Sequence, residues 1–210
     1  SKGLGNVVMG IPIEGSVKIN DRVEIVPGGR TGTVRGIQQF MNHTTNGEYG
    51  QCLALNIPDF NKNPPLRGQV ISLPGYLSPT ISIHARISVI PGLDIPLKNA
   101  EEFKFHTGTV EETGKIYLLE GKTLSSGESS LATIVLKNPV VTAIHDRFII
   151  RRLSPSATVA GGEILALSES SEKPLKRKIL DQLSAYEVFM TGFDPISREG
   201  IKKRIEYFIY

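Results

Sequence analysis

Residues 80–90 read TISIHARISVI, and this stretch decides the fold class. Its apolar residues alternate with polar ones, so Ile81, Ile83, Ala85, Ile87 and Val89 fall on one face of an extended strand that is half buried. Downstream, FKFHTGTVEETGKIYLL (103–119) reads as two strands paired around a turn at Glu111 to Gly114. SSLATIVL (129–136) supplies another strand, and DRFIIRRL (146–153) with GGEILAL (161–167) completes a unit of five or six strands, the size of a small antiparallel barrel.

Upstream, NVVMGIPIEGSVKIND (6–21) is punctuated by Gly10 and Gly15 and turns at Asn20-Asp21 into RVEIV, which Pro27-Gly28-Gly29 closes as a tight turn. TGTVRGIQQF (31–40) is its expected partner, LALNI (53–57) reads as a buried strand, Asn61 to Pro65 as loop, and RGQVISL (67–73) as the last strand. About six strands precede Pro74-Gly75, with a polar stretch from Asn42 to Gly50 between them, which suggests a first small closed barrel. The two units show no sequence repeat. Beyond Leu167, SESSEKPLKRK (168–178) has the composition of a linker, and the period then changes. Leu175, Ile179, Leu180, Leu183 and Tyr186 recur at helical spacing, as do Ile201, Ile205 and Phe208 after Asp194-Pro195 and the candidate cap Ser197. The expected organisation is a mainly β chain with a barrel at 1–77, a barrel at 78–168, and a linker with helices at 169–210.

Composition agrees with many short strands joined by turns: 21 Gly and 13 Pro among 210 residues, 40% apolar and 21% charged. A single cysteine, Cys52, excludes an internal disulfide, and no apolar run is long enough for a signal peptide or a membrane span, so the expected compartment is the cytoplasm. The chain starts at Ser1 without an initiator Met and enters strand-like sequence at once, which reads as a piece of a longer protein with further function upstream.

Catalytic and metal chemistry find little support. Gly121-Lys122-Thr123 resembles the end of a phosphate-binding loop, but the required upstream glycine is replaced by Ile116 and the following TLSSGESS is turn-like, so the stretch reads as a hairpin loop. His43, His84, His106 and His145 lack metal-ligand spacing, and Cys52 has no CxxC partner. Cys52 at a strand start reads as a packing residue rather than a nucleophile, although a neighbouring histidine would change that reading. Glu101-Glu102 and Glu111-Glu112 read as solvated loop tips, giving no acid–base dyad. The expectation is a chain without catalytic residues, metal or cofactor of its own. Positive charge is more informative despite a net charge of only +3. Arg147 and Arg151 share one face of a strand and Lys104 and His106 one face of another, with Arg152 beside them. A stripe of this kind follows a phosphate backbone, and equally suits a plain solvent-facing side of a barrel.

The order of the segments resembles the second and third domains of the selenocysteine-specific elongation factors, relatives of elongation factor Tu. KGLGNVVMGIPIEGSVKINDRVEIVPGG places Lys2-Gly3, Gly5, Gly10, Gly15-Ser16 and Asp21 as that family's second domain does. RTGTVRGIQ fits its next hairpin, GQCLALNI the strand after its aminoacyl-binding loop, and HDRFIIRRLSPSATVAGGEIL the close of its third domain, over roughly residues 1–167. The tail falls where the family places the approach to its winged-helix domains.

The resemblance implies delivery of selenocysteyl-tRNA to the ribosome in a GTP-dependent manner. GTP and Mg would be held by a GTPase domain upstream in cis, and an mRNA hairpin would be read by a downstream region. By the family pattern the loop Asn46, Gly47, Glu48, Gly50, Gln51 and Cys52 faces the terminal adenosine and amino acid. Lys104, His106, Arg147, Arg151 and Arg152 are then candidates for backbone contacts along the tRNA stem. Bacterial members carry an Arg after the Gly-Gln pair, suited to an anionic selenolate. Here that residue is Cys52, and a thiol, mostly neutral near pH 7, supplies no such charge. His43 lies nearby in sequence. The competing reading is a translation-GTPase paralogue whose barrels bind a protein or ribosomal partner.

Overall fold

Alternating and β-branched segments separated by Gly and Pro should form short strands, and the computed structural model, which describes residues 7–168, is mainly β. The helices expected beyond Leu175 lie outside the described residues. The first unit holds nine short strands: β1 (Val7–Gly10), β2 (Ser16–Lys18), β3 (Arg22–Val26), β4 (Arg30–Thr33), β5 (Gly36–Gln39), β6 (Asn42–Thr44), β7 (Asn46–Glu48), β8 (Leu53–Asn56) and β9 (Val70–Ser72). They form three antiparallel sheets, in the orders β1-β8-β5-β6, β4-β3-β9 and β2-β7. The sheets wrap one small core of Val23, Ile25, Val34, Ile37, Leu53, Ile57 and Phe60, the last delivered by a 3-10 turn at Pro58–Phe60.

The strand count exceeds the expected six because the polar stretch Asn42 to Gly50 contains β6 and β7 and because TGTVRGIQQF divides into β4 and β5. Backbone ladders hold these strands, Ile37↔Thr44 and Val17↔Gly47 among them, while most of their side chains face solvent, so no apolar period marks them. Gly47 is buried against Leu53, whose Cδ1 would lie 2.2 Å from an added Cβ.

The second unit contains β10 (Thr80–Val89), β11 (Leu97–Lys98), β12 (Glu102–Thr107), β13 (Val110–Leu118), β14 (Thr123–Leu124), β15 (Ser129–Val140), β16 (Arg147–Arg152) and β17 (Ala157–Ser168). Six of them close into a barrel in the order β10-β15-β13-β12-β16-β17, with β10 pairing both β15 and β17. Ile83, Ala85, Ile87 and Val89 point inward as their alternation requires, whereas Ile81 is only half buried because the ladder slips between Thr80 and Ser82. Phe105 and Phe148 stack inside with centroids 5.3 Å apart.

The β12–β13 turn does not fall at Glu111 to Gly114. It lies at Gly108-Thr109, where Gly108 takes φ +52, and Glu111 to Gly114 are strand. Gly114 serves close approach instead of turning, since an added Cβ would sit 2.8 Å from the Val135 carbonyl on β15. The paired carboxylates are therefore not loop tips. Glu111 and Glu112 belong to β13, Glu102 on β12 pairs with Lys137 at 2.8 Å, and Glu101 binds Arg152. Gly121-Lys122 is a bend leading into β14 at Thr123, but not the expected hairpin loop, because β14 pairs with β11 and not with β13. The two units touch where Arg67 Nε donates to the Thr109 carbonyl at 3.5 Å and Gly68, at φ +90, lies against Val110.

Candidate nucleic-acid interface

β12 and β16 are neighbours, paired Phe103↔Arg152, Lys104↔Arg151, Phe105↔Ile150 and His106↔Ile149. Because successive side chains alternate across a strand, Phe103, Phe105, Phe148 and Ile150 enter the core while Lys104, His106, Arg147, Ile149 and Arg151 face outward. The sequence-derived stripe thus exists as one surface. Arg152 is not part of it. Its position on the opposite side of β16 turns it away, and its side chain is only 11% exposed. Its Nε donates to Glu101 Oε1 at 2.7 Å and its Nη2 to the Pro96 carbonyl at 3.2 Å, so it fastens the loop ahead of β12.

The remaining groups differ in availability. Lys104 Nζ is bound to Glu111, which projects from β13 opposite His106. His106 Nδ1 lies 3.9 Å from the other Glu111 oxygen, and its buried Nε2 has no hydrogen-bond partner. Glu111 is held below the usual carboxylate range, first by the Lys104 hydrogen bond and then by the Lys104 charge, with smaller help from His106 and Arg67. Arg147 and Arg151 are exposed, and Arg151 Nη2 donates only a long bond to Ser156 Oγ at 3.4 Å. Across the β16–β17 ladder Arg147 faces Glu163, which is itself bound by His145. His106, Thr107, Gly108, Arg147, Phe148 and Ile149 line a shallow depression at this end of the barrel.

In the first unit the sequence-derived loop is a tight, internally bonded turn. Asn46, Gly47 and Glu48 are strand β7 against β2. Gly50 takes φ +76 and donates to the Pro12 carbonyl at 3.0 Å, while Gln51 Oε1 accepts from the Glu48 amide at 2.8 Å. Gln51 therefore closes the turn, and Cys52 is exposed just before β8. Leu53, the next residue, pairs with Gly10 and Gln39, which puts Cys52 at the end of the four-stranded sheet.

That end also carries Ile11 and the β5–β6 hairpin tip Phe40-Met41, 76% and 92% exposed at φ +47 and +69. His43 is on β6, separated from β8 by β5, with Nε2 3.3 Å from Gln38 Nε2. Two features escaped the sequence reading. A left-handed turn built from Phe and Met carries none of the Asn or Gly that usually marks one. The turn expected at Glu111 to Gly114 hides the place of Glu111 beside Lys104, which only the β12–β13 register gives.

Residues 84–171 match the family model described as the selenocysteine-specific elongation factor, beta-barrel domain. The selenocysteine-specific elongation factor of Desulfomicrobium baculatum is 32% identical over 178 residues, covering 85% of this chain and 27% of the relative. That of Haemophilus influenzae (strain ATCC 51907 / DSM 11121 / KW20 / Rd) is 32% identical over 168 residues, 80% of this chain and 26% of the relative. The chain spans about a quarter of the length of these curated relatives. A closed six-stranded barrel coincident with the matched β-barrel domain, and relatives of one description across both units, give one assignment: the chain belongs to the selenocysteine-specific elongation factor family.

Proposed function

We propose that this chain is the tRNA-binding part of a selenocysteine-specific translation elongation factor, one that brings selenocysteyl-tRNA to the ribosome with GTP and Mg held by a GTPase domain outside these residues. The observation that carries the reading is the outward cationic face of β12 and β16, where Arg147 and Arg151 stand free of carboxylate bonds among the described residues. Spaced guanidinium groups on a rigid sheet suit the phosphate-lined surface of an A-form RNA stem, which is read by shape and backbone. The acceptor end then falls to the first unit, at the exposed end of the four-stranded sheet around Cys52.

Filter binding of tRNA at several salt concentrations tests this. The double variant Arg147→Ala/Arg151→Ala is expected to lose about tenfold in affinity and to flatten the log–log salt slope by about two. Unchanged binding by the double variant would sink the assignment. The second reading, a paralogue that docks a protein or ribosomal partner, is favoured by the exposed Phe40-Met41 tip. It predicts no measurable tRNA affinity at any salt concentration.

A further inference from the structure

Resting on that reading of the β12–β16 face, we infer that Glu111 occupies the position of an RNA phosphate and restrains how tightly this face binds RNA. Two cationic or protonatable groups meet one carboxylate, Lys104 Nζ in direct contact and His106 Nδ1 at 3.9 Å, while Arg67, held by its bond to the Thr109 carbonyl, adds a weaker charge effect from the first unit. The Lys104 hydrogen bond and then the Lys104 charge lower the Glu111 pKa, with a smaller effect from Arg67, so the carboxylate is ionised when RNA approaches. Such a cluster is what a phosphate oxygen would otherwise recruit, since ammonium and guanidinium groups bind carboxylate and phosphate in the same way.

Stability does not explain the placement. Lys104 and Glu111 are each nearly half exposed, and exposed pairs of this kind contribute little to folding. Binding explains it better. Glu111 holds Lys104 and lies opposite His106, which lines the depression that Arg147 flanks, so Lys104 is kept ordered for a backbone passing over the barrel. Its own charge repels that backbone until a phosphate displaces it from Lys104. The face is thereby set to grip RNA less tightly than its cation content allows, which suits a carrier that must release what it holds. Arg67 joins the face as a contact from the first unit, placed by its Thr109 bond, so the RNA path crosses the junction between the units.

The test compares the full chain with Glu111→Gln, Lys104→Gln/Glu111→Gln and Arg147→Ala in tRNA binding across about 50–200 mM salt. Glu111→Gln is expected to bind at least about threefold tighter and to steepen the salt slope by about one. Most of that gain should vanish in the double variant, a dependence on Lys104 that a merely structural role for Glu111 would not produce. If Arg147→Ala weakens binding while Glu111→Gln leaves it unchanged or weaker, the restraint is disproved and the RNA-binding face stands. If neither the chain nor any variant binds tRNA, the face itself is misassigned and the inference falls with it.

Discussion

The two units draw on the same residue types, yet one closes and the other divides. In the second, the barrel strands of six to twelve residues run far enough for β10 to meet both β15 and β17, and the ladder seals around a core of twenty buried residues. In the first, strands of three to five residues break into three sheets around a core of seven, and large apolar side chains such as Met9, Ile13, Phe40, Met41 and Tyr49 remain in solvent. Strand length sets how much apolar surface each residue helps to bury, and that surface is the main favourable term in folding. The longer-stranded unit sets its outward charges by the register of its paired strands. The shorter-stranded one trades internal burial for exposed turns.

Removing a core aromatic from each unit is the strongest way to break this contrast. Phe105→Ala takes away a fully buried ring and its stacking on Phe148, and should cost about 4 kcal/mol; Phe60→Ala in the smaller core should cost about 3 kcal/mol. Chemical denaturation with hydrogen exchange should show Phe60→Ala lowering protection only in the first unit. Loss spread evenly over both units would mean that they fold as one.

A smaller effect sharpens the contrast at the hairpin tip. Phe40→Asn with Met41→Gly places residues suited to φ +47 and +69 at a two-residue turn, and should stabilise the first unit by about 1 kcal/mol. A fall in its unfolding midpoint would show that the apolar tip packs in a way its exposure does not suggest.

The smallest effect concerns pH and the second unit alone. His84, on β10 with Nδ1 3.0 Å from Thr133 Oγ1, has its pKa lowered by burial. Its folded pKa then lies below the unfolded value of about 6.5, so the unfolded chain binds more protons in that window. Stability is full above about pH 6.5 and declines as pH falls through the folded pKa. The second unit's Tm should drop between about pH 7 and 5, and His84→Gln should flatten that drop. An equally steep decline in the variant would remove His84 as the cause.

Much of the second unit could be read directly from its residues because inward and outward positions alternate over long runs. The inward placement of Ile83 to Val89, and of Phe103 and Phe105 on one strand and Phe148 and Ile150 on another, follows from period two alone. The same alternation placed Lys104 and His106 outward beside Arg147 and Arg151. Adjacent residues on a strand point opposite ways, which is why Arg152, one step from Arg151, binds Glu101 instead. Strands β6 and β7 could not be read, because backbone hydrogen bonds between mostly polar residues leave no mark on hydropathy. The turn at Gly108 was hidden by a second glycine, Gly114, which looks like a turn residue and instead lets β13 pass close to β15. Misplacing that turn by a few residues concealed Glu111, since only a strand register sets it opposite His106.

Sealing the ladder at β10 has a further consequence outside function. A closed barrel presents no row of unpaired amides, whereas the four-stranded sheet of the first unit ends at β1 and β6, with Val7 and Met9 exposed on β1. Shortness, four residues in β1 and three in β6, limits how far those rims template other chains but leaves them the exposed edges of the sheet. When the chain is stored concentrated or warmed toward its first transition, self-association should therefore begin at these rims, with the sealed barrel carried along still folded.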